Sequence, residues 1–144
     1  MYSRILVPTD GSEITRKAVQ TAIELARRMD AQIFAVSVKE PFPYSAISEV
    51  QPIAPQEFYE AQERVARERV DAVVEAARAR QVACSGYTVE SLHPWEAILD
   101  HAKDKQCDLI VMASHGRRGV AALLLGSETH EVLSSCSIPV LVHR

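Results

Sequence analysis

Cysteine, glycine, long apolar runs and surplus positive charge are all scarce in this chain, and each scarcity excludes something. The three cysteines, Cys84, Cys107 and Cys136, are odd in number, widely spaced and without a CxxC pair. They read as buried thiols rather than a disulfide framework or a zinc site. The five histidines, His93, His101, His115, His130 and His143, form no close pair with another His or a Cys at metal-ligand spacing, so no protein-held metal is expected. The longest uninterrupted apolar run, Val120 to Leu125, falls far short of the ~20 residues of a membrane span. No apolar leader region precedes the strand-like Arg4-Ile5-Leu6-Val7, so the expected compartment is the cytoplasm. A formal net charge of -3 argues against general nucleic-acid binding, which needs a basic face. It leaves open an anionic small ligand, because local charge decides that. Internal repeats and low-complexity stretches are also missing.

What is there is a regular alternation. The 144 residues, 47% apolar and 24% charged, predict one globular domain spanning residues 1–144. Ile5-Leu6-Val7 reads as a first strand. A helix follows from about Ser12, its N-cap, to Arg28, with Ala18, Ala22, Leu25 and Met29 stepping round one face. Ile33 to Val38 is the second strand. Lys39 to Pro55 is irregular and holds Pro41, Pro43, Pro52 and Pro55, which suggests a lid or contact surface. A long helix from Gln56 to Arg80 carries Phe58, Ala61, Val65, Val70, Val73 and Ala77 near helical spacing. Its Glu60–Arg64 and Glu63–Arg67 pairs sit at i, i+4 on what reads as a solvated face. Val82 to Glu90, Leu109 to Ala113 and Pro139 to Val142 are further strands. Pro94 to Lys105 and Ser127 to Ser135 are further helices. The order βαβαβαβαβ predicts an α/β fold: a single doubly wound, five-stranded parallel sheet of Rossmann-like or flavodoxin-like type, with helices on both faces.

Although glycine is scarce, Gly116, Gly119 and Gly126 cluster between the fourth strand and the last helix. A strand that opens through such a loop into a helix N-terminus can cradle phosphate, because glycine admits backbone N–H groups to close range and the helix end adds partial positive charge. Arg117 and Arg118 are the only charges between Ala113 and Ser127, so this window is locally positive. In a doubly wound sheet the first and fourth strands meet at the switch in strand order, where ligands bind. Pro8-Thr9-Asp10 would then face the glycine window. Asp10 would accept ribose hydroxyls, while Gly116, Gly126 and Ser127 would offer donors to phosphates.

At these residues the chain resembles the universal stress protein family. The ATP-binding members carry Gly-x2-Gly-x9-Gly-[Ser/Thr], which aligns with Ala113, Gly116, Gly126 and Ser127. Ile5-Leu6-Val7-Pro8-Thr9-Asp10-Gly11-Ser12 and Ile138-Pro139-Val140-Leu141-Val142 look like the family's first and last strands. The resemblance implies an adenine-nucleotide site at Pro8, Thr9, Asp10, Val38 (backbone contacts to adenine), Met112, Ala113, Gly116, Gly126, Ser127 and the backbone N–H of Glu128. Arg117 is added to it from the local charge. The resemblance also implies ATP with Mg or Mn bridging the phosphates, a role as a stress-response regulator or sensor, and a homodimer. The mostly apolar C-terminal strand, 138–143, is the candidate dimer edge.

The chain departs from the family pattern twice. Ala113 stands at the first glycine position, which matters if that residue needs φ > 0 or the ligand packs on its Cα. Glu128 puts a carboxylate beside the proposed phosphates, where it repels them unless it points away or shares a metal ion. Plainer roles exist for the same residues. Gly116 and Gly119 suit turns, Ser127 suits an N-cap, Asp10 suits an Asx turn and the arginines suit a surface. Such roles would describe a nucleotide-free dimeric interaction protein working through the 41–55 loop. A slow ATPase is the other rival, with only Asp10, His115 and Glu128 positioned to act. No catalytic residue is assigned. A receiver-like domain would need an acidic cluster at the strand ends, which is lacking here.

Overall fold

The computed structural model describes residues 1–43, 55–116 and 125–144. Five strands and four helices alternate: β1 (Arg4–Pro8), α1 (Glu13–Met29), β2 (Gln32–Lys39), α2 (Gln56–Ala79), β3 (Cys84–Glu90), α3 (Pro94–Asp104), β4 (Leu109–Ala113), α4 (Ser127–Ser135) and β5 (Val140–His143). All strand pairs are parallel, in the order β3-β2-β1-β4-β5. The expected doubly wound α/β sheet is therefore what the chain forms, with the switch in strand order between β1 and β4.

Alternation along each strand divides the core in two. Ile5, Val7, Ile33, Ala35, Leu109 and Val111 face α1 and α2, where they meet Val19, Ala22, Ile23, Val70, Val73 and Ala77. Leu6, Phe34, Val36, Ile110 and Met112 face α3 and α4, where they meet Ile98, Ala102 and Val132. Each large aliphatic side chain sealed this way contributes about 1.5–3 kcal/mol relative to exposure.

Ser12 caps α1 as expected, its Oγ accepting from the Thr15 N–H. The buried stripe of α2 differs from expectation: Ala66 joins Val70, Val73 and Ala77, while Val65 is exposed. Small Ala66 lets α2 lie close to the sheet, and the bulkier Val65 turns outward. Gly86 on β3 serves the same approach, since a Cβ there would stand 3.1 Å from Val70 Cβ and 3.3 Å from Val74 Cγ2. Glu63 is not part of a merely solvated face. It pairs with Lys39 of β2 at 2.8 Å and accepts from the Thr88 hydroxyl of β3, in addition to the expected Arg67. Lys39, helped by Thr88, holds its carboxyl below the ordinary range.

Two strands start later than expected. β3 starts at Cys84, because the Val82 N–H is taken by Ala77 O at the end of α2. β5 runs Val140–His143, since Pro139 has no N–H to give to a ladder. The 41–55 stretch lies outside the described residues except at its two ends. Burial pushes the Cys84 and Cys107 thiols up to about 11; Cys107 is buried as expected, while Cys84 and Cys136 are half-buried. Among the described residues no helix is long and apolar enough to cross a membrane.

Candidate functional site

The loops after β1 and β4 meet at the C-terminal edge of the sheet. β1 and β4 pair through Ile5↔Leu109 and Leu6↔Ile110, so the chain leaving each strand borders one crevice. Contact between the loops is close: a Cβ built on Gly116 would lie 2.7 Å from Asp10 Oδ2. Gly116 does not adopt a positive φ, so the close approach alone calls for glycine there.

Asp10 has two duties. Its Oδ1 accepts from the Ser12 N–H at 2.9 Å, which is an Asx turn, and from the Thr15 hydroxyl at 2.8 Å. Its Oδ2 faces Gly116 across the crevice. The turn therefore fixes the carboxylate and aims its second oxygen at the glycine loop. Gly11 takes the positive φ of 76° that this turn needs. Thr9 is buried; its N–H donates to Val36 O and its Oγ1 accepts from Gly11. Pro8 makes the last rung of β1, opposite Val36. Beyond that rung β2 runs on through Val38 to Lys39, paired with β3 on its other side. The β1-facing backbone edge at Val38 thus lies past the end of β1, on the crevice.

On the β4 side, Met112 and Ala113 are buried core residues. Met112 packs toward Val132, so its side chain belongs to the core, and only main chain is left for a ligand there. Ala113 sits in β4 without positive φ, which shows that this backbone needs no glycine. Its carbonyl accepts the buried Thr129 hydroxyl at 2.9 Å, tying β4 to the first turn of α4.

Gly126 is the N-cap of α4, and Ser127 is its first residue, not the cap. Gly126 was expected to offer its N–H to phosphate. That N–H instead donates to Ser114 O at 2.7 Å and closes the loop. Glycine is needed because a Cβ would stand 3.1 Å from His115 Cα and 3.3 Å from Ser114 O. The first turn of α4, Ser127 to Thr129, carries the N–H groups that have no intrahelical acceptor. His115 packs under Gly126, and its Nδ1 lies 3.2 Å from Ser114 Oγ, so its observed work is to hold the loop. Arg117, Arg118 and Gly119 lie outside the described residues.

Glu128 does not aim at the proposed phosphate position. Its Oε2 accepts the Trp95 N–H of α3 at 2.8 Å. α3 needs this: its N-cap His93 makes no side-chain cap, and Pro94 leads the helix. Glu128 thus caps one helix from the first turn of another. Sequence reasoning missed this bond because 33 residues separate the partners. It also missed an open cavity of about 510 Å³ beside the crevice, lined by Ser12, Glu13, Ile14, Lys17, His115, Gly116 and Arg144. Its charged lining residues are Lys17, Arg144 and Glu13. Among the described residues there is no cluster of three His, Cys, Asp or Glu that could hold a metal ion.

The comparisons with known proteins agree with this architecture. The profile of the universal stress protein family matches residues 1–144. Universal stress protein MJ0531 of Methanocaldococcus jannaschii is 30% identical over 147 residues, covering 99% of this chain and 82% of its own. The solved structure of hypothetical protein MJ0577, from the same organism, has a TM-score of 0.84 at 25% identity and covers 99% of this chain and 96% of that one. A universal stress protein solved in complex with cAMP has a TM-score of 0.68 at 22% identity, covering 99% of this chain and 97% of its own. One from Archaeoglobus fulgidus in complex with dAMP has a TM-score of 0.70 at 18% identity, covering 99% and 98%. At those last two identities the likeness is one of fold.

Proposed function

The chain belongs to the universal stress protein family, and from that premise we propose that it is a regulatory protein that binds an adenine nucleotide, ATP with a bridging divalent ion, in the crevice between the loops after β1 and β4. One observation carries this reading: Asp10 Oδ2 and Gly116 Cα face each other so closely that a methyl group between them would clash. Asp10 is fixed by Ser12 and Thr15 before any ligand arrives, which reduces the ordering cost of binding. The Val38 backbone edge would take the base, Asp10 the ribose, and the Ser127–Glu128 turn the phosphates. Pro8, Thr9, Met112 and Ala113 build the walls, and Arg117 adds charge. Complexes of other family members with cAMP and dAMP support an adenylate as the ligand.

The residues present fit such a ligand. Gly116 lines the crevice opposite Asp10, and Glu128 is engaged on α3. The divalent ion would neutralise phosphate charge and take few protein ligands. The protein's own part is to orient base, ribose and phosphates, and a partner or second copy then reads the bound state. β5 lies at the sheet edge and is the strand through which two copies would pair, in the cytoplasm. Binding rather than turnover is the activity proposed.

The test is thermal unfolding of ligand-stripped protein with and without ATP and Mg²⁺. A hundredfold excess over Kd stabilises by about 2.7 kcal/mol and raises the unfolding midpoint by several degrees. An unchanged midpoint, together with no measurable affinity below millimolar, refutes the nucleotide reading.

A further inference from the structure

We propose that His101 makes the seat of α3 on the sheet acid-sensitive, so that mild acid releases the C-terminal half of this helix. Neither the crevice nor a nucleotide takes part. α3 is held through Ile98 and Ala102, which are buried in one cluster with Leu6, Phe34 and Val36. His101, next to Ala102 in the chain, lays its ring against Tyr87 of β3, with centroids 4.7 Å apart and planes tilted by 58°. The residue as a whole is half-buried, but its Nε2 is sealed from water and has no hydrogen-bond partner among the described residues. A neutral imidazole leaves one nitrogen without a proton, so a sealed Nε2 can stay bare. The imidazolium carries N–H on both nitrogens, and this one would have no acceptor. A buried donor left without an acceptor is destabilising, more so when it is charged.

The charged and titratable groups around the ring disfavour a further cation. From β3, the Tyr87 ring that His101 meets already carries Lys105 Nζ at 4.6 Å. From β2, Phe34 stacks on Tyr87 at 6.5 Å, and Arg4 of β1 lies over Phe34 at 4.5 Å. The aromatic pair therefore already holds two cations. On α3 itself, Lys105 repels a charged His101; Asp104 attracts it but is paired with Lys105 at 3.6 Å. α4 also packs on α3 and, among the described residues, adds no charge that acts on the ring. Burial first, then Lys105, hold the imidazole below its ordinary 6.5, with Asp104 opposing. A lowered folded value means that the opened helix takes up the proton first as pH falls. The contact is thus at full strength above the ordinary value and is lost as pH falls through the folded one. The other end of α3 is tied by the Trp95 N–H to Glu128, so release begins at the His101 end.

The experiment is hydrogen exchange of ligand-stripped protein at pH 7.5 and 5.5, read as protection factors for the amides of α3, with α1 as reference. One unit below its ordinary value, an opened imidazole is protonated about ten to one. Protection at the C-terminal half of α3 is therefore expected to fall by up to about tenfold, while that of α1 holds. His101→Phe keeps a ring against Tyr87 and removes the titrating group, so its α3 protection should be the same at both pH values. His101→Gln carries the same expectation should the Phe variant fail to fold. Wild-type α3 protection that does not change overturns the proposal, as does a fall of equal size in the variant. An NMR titration that places His101 at or above 6.5 overturns it too. No nucleotide is present in these measurements, so they stand or fall separately from the nucleotide reading.

Discussion

A methyl group added at Gly116 and one added at Gly126 would meet different obstacles. At Gly116 the nearest atom is the end of the Asp10 side chain, 2.7 Å away. That carboxylate can rotate, but only by giving up its bonds to Ser12 and Thr15. Gly116→Ala is therefore expected to cost about 1 kcal/mol of stability and to weaken nucleotide binding at least tenfold. At Gly126 the obstacles are His115 Cα and Ser114 O, which are backbone and yield less. Gly126→Ala is expected to cost about 1–3 kcal/mol. Thermal unfolding and calorimetry on both variants check the pair. Equal losses of stability and binding in the two would show that Asp10 plays no separate part.

The juxtaposition of Asp10 and Gly116 was legible in the sequence, and the bonds that fix it were not. Asp10 and Gly116 stood out because they close strands that fold logic brings together. The turn reading of Asp10 holds through Oδ1, and Oδ2 is the oxygen that faces Gly116. Ala113 could not be judged from sequence, because only its backbone angles reveal whether a glycine is required. Glu128 looked like an obstacle to phosphate until its partner on another helix was found.

Among elements, the helix–sheet approach at α2 and β3 is the most sensitive. Val70 Cβ and Cγ2 and Val74 Cγ2 all lie within 3.3 Å of the Cβ that Gly86 lacks. Gly86→Ala pushes α2 off the sheet and is expected to cost about 1–3 kcal/mol, with the unfolding midpoint falling about 3 °C for each kcal/mol. Retention of the wild-type midpoint would mean that α2 adjusts freely. Strands and helices were readable because buried parallel strands are continuous apolar runs and α1 repeats its apolar residues at helical spacing. The reading slipped at α2, where Val65 was favoured over its smaller neighbour Ala66. Hydrophobicity alone cannot say which of two adjacent residues the sheet leaves room for. The α3 cap was unreadable because its carboxylate lies far along the chain.

On the scale of the whole molecule, acid should loosen the fold through a few carboxylates. Asp108 precedes β4 and clasps the start of β1, accepting from Ser3 N–H, Ser3 Oγ and Arg4 N–H. Burial opposes its ionisation, but the Ser3 and Arg4 bonds more than offset this and hold the carboxyl below its ordinary value. Glu63 is lowered by Lys39, and Glu24, between Arg27 and Arg28, is held down to about 2. A lowered folded-state pKa means that the unfolded chain takes up protons first as pH falls. Their stabilisation is thus complete above the unfolded value of about 4 and is lost as pH drops through the folded values. Urea unfolding between pH 6 and 2 should show this loss, and Asp108→Asn should flatten part of the slope. An unchanged slope in that variant would mean that the clasp does not contribute.

The clasp also fixes where residue 1 emerges. Met1 leaves the molecule beside Ser3 and Asp108, at the edge where the parallel strands begin. Arg144 leaves it at the opposite edge, lining the cavity with His115 and Gly116. A purification tag or fused reporter joined after Arg144 would hang over the mouth of the crevice, adding its own charges to any titration. The same tag joined before Met1 would sit the full depth of the sheet away.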